Sequence, residues 1–126
     1  MNKQAFVRAA VFAAGILNIV TGAALLFLPD WFFTNIGTFP PYNRHFLGDL
    51  GTATLPLGIA LVWAARNPAR HRLLIGFAAL AALAHAVNHA YDDFIVVAPD
   101  TAHQTLPLLV VAVVLLVAWW WTPREA

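Results

Sequence analysis

The run Leu108-Leu109-Val110-Val111-Ala112-Val113-Val114-Leu115-Leu116-Val117 carries no polar side chain and continues into Ala118-Trp119-Trp120-Trp121. A helix built from it presents hydrocarbon on every side, which suits a bilayer and not water. Outward from this stretch lie three more of its kind, so the chain reads as four apolar spans at residues 5–28, 44–65, 73–91 and 106–121. Each has about the length that carries a helix through roughly 30 Å of hydrocarbon. With 61% hydrophobic and only 10% charged residues in 126 positions, the composition lies far outside that of soluble domains. The expected fold is all-α: a single transmembrane domain, residues 1–126, forming an integral membrane four-helix bundle.

The first span follows Lys3 and contains Arg8, with Thr21-Gly22-Ala23 resembling a weak signal-peptide cleavage site. Its apolar run continues through Ala24-Leu25-Leu26-Phe27-Leu28, too long for a signal core, and is read as a membrane span. The absence of cysteine excludes disulfides and thiolate metal sites.

Charge sets the expected orientation. Lys3, Arg8, Arg66, Arg70, Arg72 and Arg124 fall at the two termini and the second loop, while Asp30, Asp92, Asp93 and Asp100 fall in the first and third loops. The positive-inside rule then places both termini in the cytoplasm, and the segments 29–43 and 92–104 on the other side. Trp63 and Trp119–Trp121 mark the cytoplasmic interface and Trp31 the opposite one.

In that frame the ionisable residues within the spans gather at one level. His45 and Asp49 lie in the outer turns of the second span, His85, Asn88 and His89 in those of the third, and His103 with Gln104 at the start of the fourth. Spacings of four residues put His45 with Asp49, and His85 with His89, on single helix faces about 6 Å apart along the axis. Asp92, three residues beyond His89, extends the second stripe. Two polar stripes on antiparallel neighbours are expected to face one another.

Three chemistries use such a pair of stripes. Imidazoles at i and i+4 with a carboxylate from a facing helix suit zinc, iron or copper, so His45, Asp49, His85, His89 and Asp92 form the leading candidate metal set. Haem, the second cofactor reading, takes one axial histidine from each helix, His45 with His85 or His89. Proton transfer by an aspartate and a histidine on a lipid-soluble substrate is the enzymatic reading, and it expects an elongated apolar cavity ending at Asp49. The plain structural alternative is an accessory or scaffold subunit whose polar residues only pin helices together. Asn18, Thr52, Asn88 and His103 are supporting residues in any of these readings, and His71, among arginines, reads as interfacial.

Packing signals complete the picture. Gly15, Asn18 and Gly22 share a face of the first span, and Gly48, Gly51 and Gly58 mark the second, allowing close backbone approach. Asn18 is expected to hydrogen-bond between helices. Pro56 removes the bond to the Thr52 carbonyl and bends the second span, with Thr52 available to freed backbone groups or a cavity. The fourth span, lacking polar residues, is expected to shield the bundle or to contact a partner membrane protein or a second copy. Pro107 is placed in its first turn, with Gln104 or Thr105 as cap. The aromatic first loop, Pro29 to Tyr42, is expected at the interface with a short helix whose first turn holds Asp30, as an anchor first and a lid second. A phosphate loop, a nucleophile elbow and a nucleic-acid surface are all missing from the sequence, and no internal repeat suggests a transporter.

The segments Asn43-Arg44-His45-Phe46-Leu47-Gly48-Asp49-Leu50-Gly51 and His85-Ala86-Val87-Asn88-His89-Ala90-Tyr91-Asp92, with Leu28-Pro29-Asp30-Trp31-Phe32, resemble small uncharacterised four-helix bacterial membrane proteins of the broad DoxX-like type. That resemblance covers most of the chain and implies a four-helix bundle in the bacterial inner membrane. It implies no catalytic residue.

Overall fold

The computed structural model describes residues 2–96 and 102–124. Five α-helices follow in order: α1 (Lys3–Phe27), α2 (Pro29–Asn35), α3 (Arg44–Ala64), α4 (Arg72–Tyr91) and α5 (Ala102–Trp121), with a π-helical turn, Asp92–Val96, continuing α4. Four of these helical segments, Lys3–Phe27, Arg44–Ala64, Arg72–Val96 and Gln104–Trp121, are long and apolar enough to cross a membrane. The chain is thus a small multi-pass helical membrane protein with an all-α fold.

Local chemistry sets the ends of these elements. The Asn2 side-chain oxygen accepts from the Ala5 N–H at 2.7 Å and that of Asn43 from the Phe46 N–H at 3.1 Å, capping α1 and α3. Proline opens α2, where its missing N–H costs nothing, and Asp30 lies in the first turn as expected. Two boundaries differ from the sequence reading. Asp92 and Asp93 are helical and not in a loop, because the π turn carries α4 on to Val96. The last helix begins at Ala102, so Pro107 lies inside it and not in its first turn. Gln104 and Thr105 do not cap it: Gln104 Nε2 donates to the Ile36 carbonyl and Thr105 Oγ1 to the Asp93 carboxylate. Those two bonds join α5 to the segment after α2 and to the π turn.

The closest packing is between α1 and α3. A Cβ added at Gly22 would stand 2.5 Å from the Leu55 nitrogen, and one at Gly58 2.6 Å from the Ile19 nitrogen and 2.7 Å from the Gly15 carbonyl. The two backbones therefore touch through Gly15, Gly22, Gly51 and Gly58, each pair spaced two helical turns apart. Gly48 departs from the expected glycine face, since a Cβ there meets nothing within 4 Å. Asn18 sits at this seam but makes no bond across it. Its Nδ2 donates to the Ala14 carbonyl of its own helix at 2.8 Å.

On the other side α4 lays Ile75, Ala78, Ala79 and Ala86 against α5, and α5 meets α1 through Leu115 and Ala118. The helices run laterally in the order α3, α1, α5, α4, and α3 and α4 meet only slightly although a short connection joins them. The last span packs against both α4 and α1 and is the least buried of the four, with Leu106, Val110, Val113 and Trp120 left on its outer side. The main core lies toward the termini, where Val7, Val11, Leu61, Ala64, Ile75, Leu115 and Ala118 converge. There Arg72 Nε donates to the Thr122 carbonyl at 3.2 Å, and its guanidinium lies 4.6 Å from the Trp119 ring centre.

Gly58→Val is expected to destabilise the detergent-solubilised protein by about 1–3 kcal/mol, because the new side chain forces two backbones apart. Gly48→Ala should leave stability unchanged or raise it, since the site is open and alanine favours helix. Thermal unfolding followed by circular dichroism distinguishes the two.

Candidate functional site

At about 100° per residue, the buried positions Leu47, Gly51, Gly58, Leu61 and Ala64 define one face of α3, and His45, Asp49, Thr52 and Pro56 centre on the opposite face. Exposure agrees. The His45 and Asp49 side chains are 88% and 67% exposed, and His45 Nε2 stands 3.5 Å from Asp49 Oδ2. Thr52 Oγ1 donates to the Asp49 carbonyl at 2.8 Å, so its proton does not replace the bond that the Thr52 carbonyl loses at Pro56. This stripe is complete within one helix and turns away from the bundle.

On α4 the histidines lie on the shoulder of the packed face, roughly 60° round from its centre. His85 Nε2 and His89 Nε2 are 3.1 Å apart, with ring centres at 4.8 Å and planes inclined by 56°. Such a contact between two imidazole nitrogens requires that one be protonated and the other bare, or that a cation lie between them. The second nitrogen of His89, Nδ1, is buried with no partner among the described residues. A bare acceptor is less costly to bury there than an N–H, which favours Nε2 of His89 as the donor to Nε2 of His85.

Asp92 does not join this pair. Its Oδ2 accepts from Asn88 Nδ2 at 3.4 Å, so the carboxylate and the amide engage each other one turn apart. Asp93, unremarked in the sequence as a site residue, takes the Thr105 hydroxyl, and Thr105 is one of the few buried polar residues. Nothing in the sequence pattern couples residues 93 and 105. The side chain of His103, like Asp100, lies outside the described residues.

The expected five-residue set is therefore not assembled. Among the described residues no group of three or more histidines and acids could hold one ion. The reason is rotational: α3 commits its glycine face to α1, which sends His45 and Asp49 outward, while α4 faces α5. The expected meeting of the two stripes fails at that step, and among the described histidines His85 and His89 alone bring ring nitrogens together.

The enzymatic reading expects a cavity ending at Asp49. Of the recesses in the structure, one lies between α1 and α5, floored by Ala14, Leu17, Val111 and Leu115, and another between the terminal-side ends of α1 and α3. Neither reaches Asp49. The aromatic segment after α1 folds on itself, with Phe33 and Tyr42 edge to face at 5.2 Å and Trp31 exposed, in the manner of an interfacial anchor. At the opposite end His71 lies against Trp63, ring centres 4.5 Å apart.

The Asp30 carboxylate, as a hydrogen-bond acceptor first, then desolvation and the carboxylate's negative charge, hold the Tyr42 phenol above its ordinary pKa of 10.0. Comparison with protein-family models, curated proteins and solved structures returns no match to this chain.

Because the folded-state pKa of Tyr42 is raised, the stabilisation associated with its protonated form is present in full below pH 10 and is lost as pH climbs through the raised value. Tyrosinate absorbance should show one of the two tyrosines ionising late, and Asp30→Asn should bring that transition to lower pH.

Proposed function

We propose that this multi-pass membrane protein binds a single transition metal ion through His85 and His89, at the end of the bundle away from the termini. The observation that carries this is the 3.1 Å separation of the two Nε2 atoms. Metal–imidazole bonds of about 2.0–2.1 Å span that separation at an N–metal–N angle of about 100°, near the tetrahedral value. Two protein ligands leave the remaining positions to water or an incoming group, so the site suits reversible binding or transfer of zinc or copper more than permanent structural metal. The geometry favours a metal ion over haem, because His45, required as the opposite axial ligand, faces outward from α3.

Titration of the purified protein with zinc and with copper should give about one equivalent bound. His85→Ala/His89→Ala should weaken binding by more than about tenfold, and His45→Ala/Asp49→Ala should leave it unchanged. Equal binding by all three proteins would refute the site.

A second reading, a subunit that associates laterally, is favoured by one observation: the exposed His45 and Asp49 stripe on a membrane-spanning helix. In that case His45→Ala/Asp49→Ala should lower the association state measured by light scattering while metal binding persists.

The orientation read from charge, with both termini cytoplasmic, belongs to the same proposal, as does the inner-membrane location implied by the DoxX-like resemblance. The cysteine-free sequence makes a clean background for labelling. An impermeant maleimide applied to intact cells should modify Thr38→Cys and spare Asn67→Cys.

A further inference from the structure

We propose that Arg8 and Arg66 form a binding site for the headgroup of an anionic phospholipid, whose acyl chain lies in the groove between α1 and α3. Arg8 stands in the second turn of α1, flanked by Val7, Ala9, Ala10 and Val11, and Arg66 stands two residues beyond the end of α3. The two helices are antiparallel neighbours, so these positions come to the same level. Both arginines line one open groove of about 460 Å³ with an apolar floor that includes Ala9, Phe12, Val62 and Ala65. The groove ends above at Gly15, where a Cβ would stand 2.8 Å from Val62 and the helices close on each other.

The cations at this end divide into three sets, of which Arg70 and Arg124 are exposed and do not line the groove. Lys3 lies over the Trp121 ring and Arg72 over Trp119, with a bond to the Thr122 carbonyl. Arg8 and Arg66 are exposed and have no acidic or aromatic partner among the described residues. The described acids, Asp30, Asp49, Asp92 and Asp93, all belong to the far end, so among the described residues no carboxylate neutralises this pair. Two guanidiniums above an apolar channel match a phosphodiester attached to hydrocarbon. A free anion would use the arginines alone and leave Phe12 and Val62 without a role.

Native mass spectrometry of the detergent-purified protein, offered phosphatidylglycerol or phosphatidylcholine of equal chain length, tests this directly. Phosphatidylglycerol should be retained preferentially. Each single Arg→Gln change should weaken retention about fivefold and Arg8→Gln/Arg66→Gln about thirtyfold, the contribution expected of surface cations toward anionic lipid. Ala9→Phe, at an exposed position, should fill the groove and reduce retention with both arginines present. Arg70→Gln/Arg124→Gln should retain the lipid as the parent does, and so should the parent in excess inorganic phosphate. Equal loss in the Arg70/Arg124 variant would assign the effect to diffuse surface charge, and displacement by phosphate would assign it to a simple anion site; either overturns the proposal, as does equal retention of phosphatidylcholine. The single variants and Ala9→Phe keep the test decisive if the double variant does not fold.

Discussion

Backbone contact between α1 and α3 governs the rest of the molecule. In lipid no hydrophobic force draws helices together, so attraction depends on how many atoms approach to van der Waals distance. Gly15 and Gly22 on one helix and Gly51 and Gly58 on the other remove the side chains that would hold the axes apart. Once that seam is formed the rotation of α3 about its axis is set, because any other face would bring Leu50, Ile59 or Trp63 between the backbones. The exposed state of those three side chains follows from the same rotation.

The consequence for chemistry is that polar residues at one membrane level do not become one site. His45 and Asp49 satisfy each other along their own helix and Thr52 bonds to the backbone beneath it. Asn88 and Asp92 do the same on α4. Bonds at i, i+3 and i+4 require no second helix, so a polar stripe can exist without marking a helix–helix contact. What does cross between elements at that end is less conspicuous: Thr105 to Asp93, and Gln104 to the carbonyl of Ile36.

Length and hydropathy made the four spans legible, and their boundaries agree within a few residues, because a run such as Leu108 to Val117 has no alternative to hydrocarbon. Asp30 in a short helix after the first span, and the four glycines at the seam, were legible for equally local reasons. Lateral order was not. Short connections favour sequence neighbours as spatial neighbours, yet α3 and α4 are the pair that barely meets, since the glycine and alanine faces select α1 and α5 instead. Gly48 shows the limit of reading small residues singly: it has the composition of a seam residue and the angular position of an open one. Asn18 shows the same limit for polar residues, lying at the seam while bonding to its own helix.

The histidine pair differs from the other polar pairs in one physical respect. In His45 with Asp49 and in Asn88 with Asp92, donor and acceptor chemistry is complementary from the start. Two imidazoles are alike, and their contact persists only with unlike protonation or with a shared cation. With Nδ1 of His89 buried and unpartnered, a proton on that nitrogen would be stranded, which biases His89 toward the form protonated at Nε2. A metal ion at the pair would displace that shared proton and would need the Nε2 lone pairs of both rings. His89 would then have to carry its proton at the buried Nδ1, unless a ligand or water reaches that nitrogen. In the proposed site the environment of Nδ1, more than the spacing of the two rings, would set how tightly the pair held an ion against a proton.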